Sequence, residues 1–237
     1  MKTLVFIPTL NEYGTIEGLI RTIRQLHENV DILVIDDNSD DGTLEVLSKF
    51  ESQGLLLKVI NRGSKQGIGS AHIQALNFAQ VNRYEILITM DADGAHDPRF
   101  IANFLSRITF YDLVIGSRYL RADSLSEWKS FRKLLTRSVH LVTRVFLGLK
   151  YDSSSGFRCY KISKMPQAIF TELRSTGYDF FFESLYELNS HKVKIGEVSI
   201  FLPARTYGHS KMTLNLALTA LKTLMYVSAR RLRRLGM

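Results

Sequence analysis

Apolar residues recur along the chain in two rhythms. Short continuous runs, such as Leu4-Val5-Phe6-Ile7, Ile32-Leu33-Val34-Ile35 and Ile86-Leu87-Ile88, alternate with longer segments in which apolar residues return every third or fourth position. The runs suit strands buried on both faces of a parallel sheet, and the segments suit amphipathic helices. The pattern predicts strands over 3–8, 31–35, 55–60 and 86–93, with helices over 16–25, 40–50 and 70–80 between them. Thr15 is placed to cap the first helix. Further helices are predicted over 98–108, 128–149, 178–188 and 214–235, and strands over 113–118 and 193–202. Strands that alternate with helices from the start imply right-handed crossovers and an α/β fold with a mostly parallel central sheet flanked by helices. One domain is expected over 1–212, including the helix at 128–149, with an appended amphipathic basic helix over 213–237.

Polar clusters interrupt this pattern at one recurring place, the carboxyl end of each early strand. They are Asn11-Glu12, Asp36-Asp37, the stretch from Arg62 to Gly69, and Asp91 with Asp93. Ligands of such sheets bind at that edge. Side chains alternate along a strand, so Asp91 and Asp93 are expected on one side. Two carboxylates that close repel each other. A hard divalent cation, Mg²⁺ or Mn²⁺, relieves the repulsion and takes its remaining oxygens from phosphates and water. A solvated strand end is the plainer reading of the pair alone, since Asp is common in turns. Four clusters at one edge favour a nucleotide site. The Gly-rich stretch Gly63-Ser64-Lys65-Gln66-Gly67-Ile68-Gly69 lacks the Gly-Lys-Ser/Thr ending of a P-loop, and the first strand lacks Gly-x-Gly-x-x-Gly. Kinase-like, ATPase and dehydrogenase readings lose support accordingly.

Charge narrows the partners. The 237 residues carry a net charge of +8, and no acidic residue follows Glu197. A basic balance calls for an anionic partner: nucleic acid, a phosphorylated ligand or an anionic lipid surface. No nucleic-acid-binding motif is present, which disfavours the first. The lone cysteine, Cys159, excludes an intramolecular disulfide and reads as a buried structural residue. The chain opens directly into a strand pattern rather than a signal peptide, and no apolar run reaches the roughly 20 residues that span a bilayer. Over 128–149, Trp128, Phe131, Leu135, Val139, Val142, Phe146 and Leu149 share one side, and Lys129, Lys133, Arg137, His140 and Arg144 the other. Such a basic amphipathic helix lies on a membrane surface or packs on its own core. The last helix repeats the theme with Leu214, Leu218, Leu221, Met225 and Leu232 beside a basic tail. A peripheral protein on the cytoplasmic face of a membrane is expected.

Six motifs in order carry a resemblance: Pro8-Thr9-Leu10-Asn11-Glu12, Val34-Ile35-Asp36-Asp37-Asn38-Ser39-Asp40-Asp41-Gly42-Thr43, Lys65-Gln66-Gly67-Ile68-Gly69, Met90-Asp91-Ala92-Asp93, Gly116-Ser117-Arg118-Tyr119 and Ser155-Gly156-Phe157-Arg158. Together they resemble the family 2 glycosyltransferases of the GT-A fold, and within them dolichol-phosphate mannose synthases and other polyprenyl-phosphate glycosyltransferases. Arg205 with Gly208-His209-Ser210-Lys211 is similar to a late signature of that subgroup. The resemblance implies a nucleotide-sugar pocket formed by Pro8, Leu10, Glu12, Ile35, Asp37, Lys65, Asp91, Ala92, Asp93 and Lys211. It implies Mg²⁺ or Mn²⁺ on Asp91 and Asp93, and an acceptor-phosphate cluster of Arg118, Arg132, Arg205 and Lys211. Asp91, Asp93, Arg118 and Arg205 are the catalytic residues it points to. Two positions depart from the family: Leu10 stands where an aromatic is frequent, and Ala95 cannot ligate a metal.

The implied reaction is inverting transfer of a hexose, mannose first, from a GDP-mannose or UDP-glucose type donor to polyprenyl phosphate. No Ser-His-Asp or Cys-His arrangement is evident, and an anionic phosphate acceptor needs cations rather than a base. The alternative is a soluble relative acting on a sugar hydroxyl, which needs a carboxylate base that the sequence does not single out. A sugar-nucleotide-forming enzyme would open with a Gly-rich loop after the first strand, and Pro8 to Glu12 is not one. Some relatives carry membrane-spanning helices after the last motif; their lack here implies peripheral attachment or a membrane-protein partner subunit.

Overall fold

The computed structural model describes residues 1–55, 58–121, 123–128, 130–203, 214–234 and 236, with the backbone alone at 131, 132, 135, 214 and 215. Its strands are β1 (Thr3–Thr9), β2 (Asp31–Asp36), β3 (Lys58–Asn61), β4 (Ile86–Thr89), β5 (Leu113–Ser117), β6 (Arg158–Lys161) and β7 (Ile195–Ser199). Its helices are α1 (Tyr13–Leu26), α2 (Thr43–Ser52), α3 (Ile68–Val81), α4 (Ile101–Arg107), α5 (Ser130–Leu147), α6 (Ala168–Thr171), α7 (Phe180–Ser190) and α8 (Leu214–Arg234). The strands form one sheet in the order β3-β2-β1-β4-β6-β5-β7. The sheet is mostly parallel, as expected. Only β6 runs antiparallel, to both β4 and β5.

Apolar cores lie on both faces. Leu4 and Phe6 of β1 join a cluster with α3 and α7, while Val5 and Ile7 join one with α1 and α4. All four are fully buried. Two-sided burial is the reason the early strands read as unbroken apolar runs.

Several elements differ from the sequence expectations. β4 stops at Thr89, so Asp91 and Asp93 lie in the bend beyond it, and strand alternation does not explain their juxtaposition. Thr15 is no cap: α1 begins after Glu12, and both the Thr15 amide and its hydroxyl donate to the Glu12 carbonyl. Pro98–Phe100 forms a 3-10 turn before α4, capped by Asp97, which accepts from the Arg99 amide. β6 and α6 are unforeseen. β6 is four residues long with a cation at each end, which hides it from any apolar pattern.

In α5 the inward residues include Thr143 and Leu147, while Leu134, Val139, Leu141, Val145 and Phe146 are exposed. His140, expected on the basic side, instead stacks on Tyr119 with ring centroids 4.1 Å apart. α8 exposes Leu218, Leu221, Met225 and Leu232 and buries Val227. It is stapled at its far end. Arg231 Nη1 donates to the carbonyls of Val145 and Phe146 at 2.9 Å, covering the end of α5, and Arg230 pairs with the buried Glu187 of α7. Among the described residues no helix is long and apolar enough to cross a membrane.

His72 of α3 sits in the core among Phe6, Phe180 and Phe181, and neither ring nitrogen has a hydrogen-bond partner among the described residues. Burial, aided by the charges of Arg158 and His96, lowers its pKa from 6.5 to about 3. The unfolded chain therefore takes up a proton that the folded chain refuses. His72 leaves stability untouched above pH 6.5 and removes about 1.4 kcal/mol per pH unit below it, down toward pH 3. Denaturant unfolding at pH 7 and pH 5 is expected to show this loss, and His72→Leu to shrink it.

Candidate active site

The site is built at the carboxyl ends of β1, β2 and β4. Asp36, fully buried at the end of β2, accepts hydrogen bonds from the Thr9 hydroxyl (2.6 Å), the Ser39 amide (2.7 Å) and the Ser39 hydroxyl (2.7 Å). Ser39 Oγ in turn accepts from the Asn11 amide at 2.8 Å, and Asn11 and Asp40 exchange two further bonds. Asn11 adopts φ 57°, a left-handed turn that Asn tolerates better than most residues. Much of the acidic motif from Asp36 to Thr43 is thus a brace that shapes the loop after β1.

Asp37 is different, because it faces the cleft. Its carboxylate accepts from the Gly67 amide (3.0 Å) and the Gln66 amide (3.3 Å) and pairs with Arg62, both side chains being almost wholly buried. Arg62 also donates to Ser70 Oγ and the Gly67 carbonyl. Asp37 therefore fixes the Gly-rich loop as well as lining the pocket. The glycines there serve packing. A Cβ on Gly67 (φ 94°) would stand 2.4 Å from the Thr176 carbonyl oxygen, and one on Gly69 would meet Phe180 Cβ at 2.7 Å. Gly67→Ala is expected to lower stability by about 2 kcal/mol or more, read by denaturant unfolding, because the backbone must move and the left-handed φ disfavours a side chain.

Pro8, Leu10, Glu12, Ile35, Asp37, Lys65, Asp91, Ala92 and Asp93 line one cleft enclosing about 990 Å³ open to solvent. Arg62, from the polar cluster after β3, also lines it, and so do Gly177, Tyr178 and Leu216, which were not foreseen. Nothing in the sequence pairs the segment at 175–178 with the loop after β3; the contact is made across the fold by the Gly69 amide donating to the Thr176 carbonyl at 2.8 Å. Lys211, Arg205 and the side chain of Arg132 lie outside the described residues.

Asp91 and Asp93 both reach the cleft from the bend after β4. The Asp91 amide donates to His96 Nδ1 at 2.8 Å, and His96 stacks on Phe157. That places His96 as a support of the bend. Asp93 Oδ1 accepts from the Ala95 amide at 3.1 Å, closing the turn. Among the described residues no group of three or more His, Cys, Asp or Glu side chains gathers as a metal cage. The hard-oxygen pair fits Mg²⁺ or Mn²⁺ with the remaining ligands from diphosphate and water, and does not fit a closed protein site.

Arg118 is not a solvated cation. Its side chain is largely but not fully buried beside β5 and pairs through two nitrogens with the fully buried Asp152, at 2.7 and 2.6 Å. Burial opposes the charge on both partners, yet each holds the other ionised: the Asp152 carboxyl lies below the usual range and the Arg118 guanidinium above its own. Arg158, expected only as a motif member, is wholly buried and donates to the carbonyls of Ser155, Ser153 and Phe181 and to Ser184 Oγ. It ties α7 to the loop beside Asp91.

Residues 4–167 match the model of glycosyl transferase family 2. The chain belongs to that family. It is 33% identical over 217 residues to the undecaprenyl-phosphate mannosyltransferase of Micrococcus luteus, covering 90% of this chain and 88% of that one. It is 30% identical over 215 residues to the polyprenol monophosphomannose synthase of Mycolicibacterium smegmatis, covering 90% and 81%. The fold is similar to that of glucosyl-3-phosphoglycerate synthase from Mycobacterium tuberculosis, solved with Mn²⁺, UDP-glucose and phosphoglyceric acid, with a TM-score of 0.70 at 21% identity over 96% of this chain and 80% of that one. This family 2 member therefore has the GT-A architecture and is a glycosyltransferase.

Proposed function

We propose that this glycosyltransferase moves mannose from GDP-mannose to a polyprenyl phosphate, with inversion, at the cytoplasmic face of a membrane. The observation that carries the reading is the cleft in which the loops after β1 and β2 meet Asp91 and Asp93. The two relatives named for mannose and polyprenyl phosphate support the sugar and the acceptor. An oxygen of the lipid phosphate forms the new bond to the anomeric carbon. The bond from that carbon to the donor diphosphate breaks, and the nucleoside diphosphate leaves with the electron pair. The acceptor is already ionised near neutral pH, so no general base is required.

Asp37 and Glu12 bound the nucleoside end of the cleft, and Asp91 with Asp93 the diphosphate end. Mg²⁺ or Mn²⁺, held on Asp91 and Asp93, would stabilise charge on the leaving diphosphate. Arg118, Arg132, Arg205 and Lys211 hold the phosphates in this reading, with arginine suited to two-point contact. The exposed Leu134, Leu141 and Val145 of α5 and Leu218, Leu221 and Met225 of α8 meet the lipid, with Arg137 and Arg144 beside anionic headgroups. Each basic residue near such a surface adds about 1 kcal/mol. A membrane-protein partner is the other occupant of that face, and flotation with protein-free anionic vesicles separates the two.

The decisive assay is transfer of radiolabelled sugar from GDP-mannose and UDP-glucose to polyprenyl phosphate, with and without Mn²⁺ or Mg²⁺. Label is expected in the lipid phase from GDP-mannose with metal present, and Arg118→Ala and Arg205→Ala are expected to diminish it. Label from neither donor would overturn the reading.

A further inference from the structure

We propose that Asp152 is a positioning residue that fixes the direction of the Arg118 guanidinium and so sets where the acceptor phosphate is received. The proposal rests on the polyprenyl-phosphate reading above and adds to it a residue outside the cleft. Asp152 lies in the loop between α5 and β6 and is fully buried. Its carboxylate accepts from the Arg118 amide (3.1 Å), Nε (2.7 Å) and Nη2 (2.6 Å), and from the Ser154 amide (3.3 Å). Nη2 donates as well to Ser154 Oγ. One edge of the guanidinium is thereby clamped, and Nη1 takes part in none of these bonds.

The clamp is anchored in turn. The Asp152 amide donates to Glu197 Oε1 of β7 at 3.0 Å, so the loop is tied to the strand beside β5, which ends one residue before Arg118. The same loop then passes Asp91 so closely that a Cβ on Gly156 would stand 3.3 Å from Asp91 Oδ1. Asp152 thus ties the arginine to the loop that runs beside the metal-side carboxylate.

A buried ion pair is a poor way to gain stability, because desolvation cancels most of its attraction. Its use here is geometric. A lone arginine samples many rotamers, and one fixed on two nitrogens presents its remaining edge in a single direction. Misplacement by an ångström is enough to cost a reaction about a hundredfold.

The test is steady-state transfer from radiolabelled GDP-mannose to undecaprenyl phosphate in the wild type, Asp152→Asn, Arg118→Ala and the double variant. GDP affinity in Mn²⁺ and thermal unfolding are measured on the same proteins. Asp152→Asn is expected to raise KM for undecaprenyl phosphate, or to lower kcat, by about tenfold. GDP affinity is expected to hold, and Asp152→Asn to add no loss to Arg118→Ala. Should Asp152→Asn fail to fold, Ser154→Ala loosens the clamp without stranding a charge and is expected to raise the same KM by a smaller factor. Wild-type kinetics in these variants would overturn the proposal, and so would a fall in GDP affinity parallel to thermal stability, or a further loss in the double variant. Wild-type enzyme that transfers to no polyprenyl phosphate would sink the underlying reading together with this one; an indifferent Asp152 in an active enzyme would sink this one alone.

Discussion

Replacing Asp91 and Asp93 together with alanine is expected to lower sugar transfer by about a thousandfold or more while leaving the fold intact. The magnitude follows from the charge the pair must manage. A leaving diphosphate gains negative charge as its bond to the sugar breaks, and a lost electrostatic partner at such a centre costs about 100- to 1,000-fold. Here both carboxylates sit in the bend after β4, and among the described residues no third His, Cys, Asp or Glu joins them as a metal cage to compensate for their loss. The structural cost is small by comparison. Asp93 braces the turn through the Ala95 amide at 3.1 Å, and one such bond is worth about 1 kcal/mol. The measurement pairs initial rates across a Mn²⁺ titration with thermal unfolding. Activity that survives with its metal dependence unchanged would place the metal elsewhere.

Asp37→Ala is expected to cost stability and donor binding at once. The Asp37–Arg62 pair has side chains only 8% and 4% exposed, so removing the carboxylate strands a buried guanidinium. Breaking a buried pair from one side typically costs about 3–5 kcal/mol. The Gly-rich loop also loses its anchor, since the Gln66 and Gly67 amides both donate to Asp37. Removing both partners in an Asp37→Asn, Arg62→Gln variant is expected to recover part of the stability but not the donor affinity, because the cleft loses the same lining group. Denaturant unfolding and nucleotide titration on the two variants separate the terms. Equal stability losses in single and double variants would show that Arg62 is not the stranded charge.

Asp37 was visible in the sequence as a member of an acidic motif, but not as the residue that holds Gln66 and Gly67. The glycines were visible as a flexible loop, yet Gly67 and Gly69 are required by the backbone at 175–177 packed against them. Arg118 was visible as a phosphate-binding cation, and its partner Asp152, 34 positions further on, carried no signal of its own. In α5 the apolar side was expected along Val139, Val142 and Phe146; the helix leaves Leu134, Leu141 and Val145 exposed as well, because Thr143 and Leu147 turn inward.

The sequence by itself determined the elements that answer to local burial. A strand covered on both faces must be apolar at consecutive positions, and a helix covered on one face must repeat near every third or fourth, so the β/α order of the first half is written in the positions of apolar residues along the chain. It also determined the edge at which polar residues collect, because each strand ends where its apolar run ends. Only the tertiary structure decided what lies opposite: β6 inserted against the direction of its neighbours, Asp152 beneath Arg118, and the segment at 175–178 closing over the Gly-rich loop. Periodicity records how deeply each residue is buried along the chain. It holds no information on which distant segment does the burying, and in this enzyme that is what sets the charges of the site in place.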